Sequence, residues 1–310
     1  MSLATDELST NALGGTELMK QALYKRMDPQ LMDHFHITAS RFRGEEPGKI
    51  ELYWLHDLPA DPESAHLANG GYNKFEKMIF VSQWQFQAYQ QHFGLPWYKC
   101  AVLQNAIDPI KPNKIKDGKI RLVYHTTPHR GLEILLPVFN ALCDKHDNIE
   151  LDVYSSFNAY GWPERDKPYE PLFEFARNHP KINYHGYQPN AVVRDALAKA
   201  DIYAYPNIWL ETSCISMMEA MSAGCEIVHP NYGALAETAA NWTSMYQWTP
   251  DKRDHARLFY SVMDSAIKNY HNEGTQSRLA SQKGYADVFY SWQLREMQWE
   301  LFLKNMVVEK

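Results

Sequence analysis

The stretch WLETSCISMMEAMSAGCEIV, residues 209–228, places two carboxylates, Glu211 and Glu219, in a run otherwise short of charge. A buried carboxylate is costly unless it is paired or meets a ligand, so each needs a partner. On one continuous helix, eight steps would set the two about 80° apart and about 12 Å along the axis, too far to share one small ligand atom. DIYAYPNIWL before them reads instead as a strand and a loop, with Thr212 or Ser213 capping a helix that starts near Cys214 and stops at Gly224. Glu211 then lies in the loop over the helix N-terminus and Glu219 emerges from the helix. The freed N–H groups between them suit phosphate oxygens or sugar hydroxyls. SMME, residues 216–219, also fits a capping box in which Glu219 only satisfies a backbone N–H, and taken alone the stretch leaves both readings open. His125 and His129 are four apart, but Pro128 argues against one helix presenting both to zinc. No Asp-x-Asp triplet occurs, and the expectation is a site with no required metal.

The elements that must position these groups alternate. IELYWL (50–55), KMIFVS (77–82) and CAVLQN (100–105) are apolar runs of strand length, with helical spacing in 16–27 and 82–93. Residues 105–119, rich in Pro and Lys, read as a linker. Strand and helix patterns then restart: IRLVYH, LEILLPVFNALCDK, IELDVYS, INYHGY, AVVRDALAKA, DIYAYP, the helix after ETSC, and CEIVHP. Two parallel-sheet domains in series are the simplest account. The end turns helical, and Trp292, Leu294, Met297, Leu301 and Leu303 suggest its buried face.

YPNIWLETSCISMMEAMSAGCEIVHP resembles the E-x7-E region of family 4 of the retaining glycosyltransferases with the GT-B fold, matching both glutamates, the Glu-Ala-Met run, Gly224 and the strand beyond. Thr212, Ser213 and Cys214 stand where that family often has Gly-Phe-Gly. LGGTE (13–17) is similar to its Gly-Gly loop, LYWLHDLP (52–59) to its strand-then-His element, and VLQNAIDP (102–109) to the segment closing its first domain. RLVYHTTPHRGLEILL resembles its diphosphate-binding strand and loop, with Arg130 at the usual Lys position and His125 or Thr126 near where an earlier Arg is usual. INYHGYQP resembles its base-lining loop.

The resemblance implies a GT-B α/β fold: an acceptor-side Rossmann-like domain over 1–108, a nucleotide-sugar-binding one over 109–285 facing it across a cleft, and a closing helix over 286–310 that returns to the first domain. It implies retaining transfer of a sugar from a nucleotide sugar, a UDP- or GDP-sugar, to a hydroxyl of a carbohydrate or glycolipid acceptor, with no further cofactor. Arg130 and N–H groups near Gly14 and Gly15 would hold the leaving phosphate, Glu219 the ribose, and Glu211 and His56 the donor sugar. His125, Thr126, Gly186, Tyr187, Ser213, Cys214 and Ile215 would line the donor site. The family's first strand should precede Gly14, yet residues 1–12 read as polar turn material, so the acceptor side is either pared down or completed by another segment or chain. A non-catalytic nucleotide-sugar-binding protein and a sugar-nucleotide epimerase of similar shape are the competing readings.

With 310 residues, 45% hydrophobic, the chain can bury one large or two ordinary cores. A net charge of −6 gives no general attraction to nucleic acid or anionic lipid. Four cysteines without a CxxC pair read as reduced core residues of a cytoplasmic protein. No apolar run approaches the length of a membrane span and residues 1–15 lack the basic-then-apolar order of a secretory signal, so the expectation is a protein without a transmembrane segment, for which peripheral membrane contact stays open.

Overall fold

The computed structural model describes residues 14–308. Its short apolar runs become ten parallel strands in two sheets. The first contains β1 (Phe35–Ala39), β2 (Ile50–Leu55), β3 (Lys77–Phe80) and β4 (Cys100–Val102), side by side in chain order. The second contains β5 (Ile120–Tyr124), β6 (Ile149–Val153), β7 (Ile182–Tyr184), β8 (Ile202–Ala204), β9 (Glu226–Pro230) and β10 (Ser244–Tyr246), in the order β10-β9-β8-β5-β6-β7. All six residues of β2 are buried, as expected where a parallel sheet is covered on both faces.

Helices α1 (Gly15–Arg26), α2 (Pro29–Met32) and α3 (Gln83–Phe93) accompany the first sheet. The second is accompanied by α4 (Leu132–Cys143), α5 (Glu170–Asn178), α6 (Asn190–Lys199), α7 (Ile215–Ser222), α8 (Leu235–Ala239), α9 (Lys252–Asn269) and α10 (Glu273–Phe289). Helix α4 is apolar on most sides and buries seven side chains, from Leu132 to Leu142, under the larger core. The short elements β1, β10, α5 and α8 fall outside the sequence reading. Residues 105–119 form no regular element, but they are pinned: Ile107 and Ile110 enter the second core, and the Asn113 N–H donates to the Ala198 carbonyl at 2.7 Å.

Helix α11 (Trp292–Val308) corrects the expected stripe. It buries Trp292, Arg295, Trp299, Leu303 and Met306, while Met297 and Leu301 are 63% and 64% exposed. Apolar residues surround this helix, so periodicity alone does not select a face. The choice is made by the first sheet's core, where Trp299 meets Trp54 edge-on at 5.0 Å. The strand expected ahead of Gly14 lies outside the described residues.

Polar contacts also join the halves. The Ser82 hydroxyl donates to the Thr212 carbonyl at 2.6 Å, and the Thr212 hydroxyl donates to the His56 carbonyl at 2.7 Å. Glu237 on α8 accepts from the free N–H groups of Gln83 and Trp84 at the start of α3, at 2.9 and 2.8 Å.

Candidate active site

In the second sheet β5 lies between β6 and β8, so the chain leaves β5 in one direction and returns on its other side. At such a switch point the loops after adjacent strands part and open a crevice at their carboxyl ends. Here they are residues 125–131 and 205–214, and between them and the first half lies a cavity of about 850 Å³. All thirteen sequence-derived site residues border it: Gly14, Gly15, His56, His125, Thr126, Arg130, Gly186, Tyr187, Glu211, Ser213, Cys214, Ile215 and Glu219.

Glu211 leaves the loop after β8 and is 5% exposed. Its carboxylate is ion-paired with Arg130 and accepts from the Tyr205 hydroxyl at 2.5 Å. Burial opposes the charge of Arg130, but the Glu211 carboxylate beside it holds the guanidinium pKa well above its ordinary value. Two glycines let these loops close up. A Cβ on Gly131, whose φ is +125°, would lie 2.1 Å from the Pro206 carbonyl oxygen. One on Gly233, at φ +62°, would lie 2.5 Å from the Glu211 carbonyl oxygen, which also accepts from the Ala234 N–H at 2.8 Å.

The expected cap of α7 is not formed. Cys214 occupies the N-cap position without a side-chain bond to the helix backbone, while the Thr212 hydroxyl is spent on His56 and the Ser213 hydroxyl is buried without a partner. The capping-box reading of Glu219 fails as well. Its carboxylate accepts from Arg194 on α6 at 2.5 Å and faces the cavity, while the Ser216 hydroxyl pairs with Tyr203 at 3.0 Å. Burial raises the pKa of Glu219, and Arg194 works against that rise.

The histidines here are neutral. Burial lowers His56 to about 3 and His125 to about 4, and the Nε2 atom of each is buried without a hydrogen-bond partner. His125 therefore supplies no charge where the resemblance has an arginine. His129, lowered to about 4 mainly by burial, is held between Phe157 and Trp209 at centroid distances of 5.0 and 4.7 Å. The hydroxyls of Ser40, Thr126 and Thr127 also reach this cavity buried and unpartnered. Orphaned polar atoms are costly, and their concentration around one cavity marks a place where a polar ligand would repay them.

Gly14 and Gly15 open α1 opposite the second half. Cβ positions there would lie 3.0 Å from the Tyr160 ring and 3.2 Å from the Ile215 side chain. Gly186 and Tyr187, beyond β7, border the cavity, as does Tyr154, whose ring stacks on His185 at 4.3 Å. Sequence reasoning missed Arg194, Tyr205, Trp209 and the aromatic loop after β6. The run SSFNAYGWPERDKPY (155–169) could have flagged the last by its density of aromatic residues. Nothing in AVVRDALAKA ties Arg194 to Glu219.

Comparison with known proteins gives this site its class. The model of the family described as glycosyl transferases group 1 matches residues 105–272, more than half of the chain, and the chain belongs to that family of glycosyltransferase enzymes. Among solved structures it is similar to a glycosyltransferase from Rickettsia africae ESF-5, at 14% identity over 98% of this chain and 84% of that one, with a TM-score of 0.68. It is similar to sucrose-phosphate synthase from Thermosynechococcus elongatus at 12% identity, covering 84% and 69% of the two chains, with a TM-score of 0.66. The UDP complex of HepE from Anabaena matches at 16% identity over 83% and 72%, with a TM-score of 0.64. These likenesses establish the GT-B fold, two parallel sheets with their helices. Among curated proteins no sequence matches.

Proposed function

We propose that the protein is a retaining, metal-independent glycosyltransferase of the family 4 type, moving a sugar from a UDP- or GDP-sugar to a hydroxyl of a carbohydrate or glycolipid acceptor. The observation that carries this reading is that Glu211, paired with Arg130, and Glu219, paired with Arg194, face one cavity at the sheet's switch point. HepE binding UDP supports a uridine donor by analogy.

Transfer breaks the bond between the anomeric carbon and a phosphate oxygen and forms one from the acceptor oxygen to that carbon. The acceptor proton passes to the departing phosphate, on the same face of the sugar. Negative charge grows on the diphosphate, and Arg130 with the N–H groups near Gly15 offsets it. A diphosphate competing for Arg130 frees Glu211 to accept from donor-sugar hydroxyls. Glu219 accepts from the ribose while Arg194 holds its carboxylate in place. His56 donates or accepts a neutral hydrogen bond to the donor sugar. His125, Thr126, Ser213, Cys214 and Ile215 shape the donor pocket, and Gly186 and Tyr187 lie against the base. In this reading residues 1–108 form the acceptor side, 109–285 the donor side and 286–310 the returning helix, in a cytoplasmic protein. Among the described residues no helix is long and apolar enough to cross a membrane.

A thermal-shift panel of UDP, GDP, ADP and dTDP with their sugars identifies the donor, because a ligand of the native state raises Tm. Labelled donors with an acceptor panel then test transfer, expected at full rate in EDTA. Binding with neither transfer nor donor hydrolysis overturns catalysis, donor conversion without an acceptor favours epimerisation, and activity lost in EDTA and restored by Mg²⁺ overturns metal independence.

A further inference from the structure

The loop between β6 and α5 carries aromatic residues that the transfer chemistry leaves unused. It is an ordered unit: Asp166 accepts from the Ser156 hydroxyl and, at 2.7 Å, from the Phe157 N–H. Held in this way, Tyr160 and Trp162 border the cavity with ring centroids 5.6 Å apart and planes inclined at 41°, an open V. Trp209, from the loop that carries Glu211, borders the same cavity and is 44% exposed. Indole surface left in water beside a cavity is covered favourably by a ligand with an apolar face.

The polar groups around this wall narrow the choice of ligand. Arg165 lies over the Trp162 ring at 4.1 Å, and Arg41 borders the cavity from the first half. Among the described residues neither guanidinium makes a side-chain hydrogen bond or ion pair. Asp57 adds a carboxylate whose pKa is raised, mainly by burial. A pyranose has a C–H face that lies on an aromatic ring and a rim of hydroxyls that both donate and accept, matching this mixture of π faces, guanidinium forks and carboxylate. An alkyl chain would instead leave three charged groups desolvated and unpaired. In the transfer reading above the nucleobase lies against Tyr187, so it does not need this wall.

We infer that the 156–169 loop together with Trp209 is a saccharide-stacking subsite that the donor half contributes across the cavity from Arg41 and Asp57 of the acceptor half, so that the acceptor held between the halves presents a sugar ring there and not the tail of a lipid. This rests on the transfer reading above, and Trp162 becomes a specificity-determining residue for the acceptor.

The test uses the whole protein loaded with UDP, or with GDP if that gives the larger thermal shift, on an array of immobilised neutral mono-, di- and trisaccharides. Wild type is expected to be retained on at least one saccharide, with retention falling about tenfold in Trp162→Ala and in Trp209→Ala and recovering in Trp162→Phe. Nucleotide Kd in Trp162→Ala should stay within about twofold of wild type, which also shows that the variant is folded. The inference is overturned if the nucleotide-loaded wild type retains no saccharide, or if Trp162→Ala is retained equally. It is also overturned if Trp162→Ala loses nucleotide affinity while keeping saccharide retention, which would assign the ring to the base. Failure of wild type to bind any nucleotide removes the transfer reading itself and this one with it.

Discussion

The two halves face the cavity in different electrical states. On the second half both glutamates are already paired, Glu211 with Arg130 and Glu219 with Arg194, so a ligand must enter by exchanging partners in existing ion pairs. On the first half no such buried ion pair faces the cavity among the described residues, and its buried polar atoms there, His56 Nε2 and the Ser40 hydroxyl, are neutral and unpartnered, like those of His125, Thr126, Thr127 and Ser213 on the second. The difference teaches where charge is managed. Breaking one member of a buried pair strands the other, whereas a neutral orphan costs only its own missing hydrogen bond.

The sharpest way to break the comparison is Arg130→Ala. It should lower kcat/KM by about 100- to 1,000-fold, as removal of a transition-state anion donor does, and also lower Tm by leaving Glu211 unpaired. Steady-state kinetics with the identified donor checks it, and unchanged turnover would remove Arg130 from the site. Glu219→Ala should act on binding: nucleotide affinity falls by about ten- to a hundredfold, with kcat much less affected, read by calorimetry. An equal loss in Glu219→Gln would show that the charge, more than the hydrogen bonding, is what matters.

Gly233→Ala leaves every charge in place but puts a Cβ against the Glu211 backbone at a positive φ. It should cost about 2 kcal/mol of stability by denaturant unfolding and reduce activity further, since the Glu211 loop must move to make room. An unaltered variant would mean that this loop is not held by that turn.

The gentlest probe is acid. Unfolded histidines take up protons as pH falls through their ordinary value of 6.5, but buried His56, His125 and His229 resist protonation until about 3, 4 and 4. Their depressed values contribute stability that is complete above pH 6.5 and is lost progressively as pH falls toward 4. Thermal melts between pH 7.5 and 4.5 at constant ionic strength should therefore show Tm declining below about pH 6.5. A flat profile would contradict the buried neutral state on both halves.

Much of the scaffold was legible along the chain because strand and helix are local patterns. IELYWL became β2 residue for residue, and the segments carrying Arg130, Glu211 and Glu219 took their expected elements. Errors arose where several local answers were equally good. SMME satisfied a capping rule that the fold did not use, and α11 offered apolar residues on more than one face. Arg194 was illegible for another reason: nothing near it in sequence announces that α6 reaches Glu219, and the aromatic density of 155–169 marks that loop without saying which cavity it reaches.

The sequence by itself determined the alternation of strands and helices, the restart after residue 105 and the eight-residue spacing of the two glutamates, all consequences of short-range sterics and hydrophobic periodicity. Only the tertiary structure decided which cation each glutamate meets, which histidines are kept neutral and which aromatic rings line the cavity. Pairing and desolvation depend on groups far apart in sequence, such as Arg130 and Glu211, that become neighbours only when the sheet places β8 beside β5.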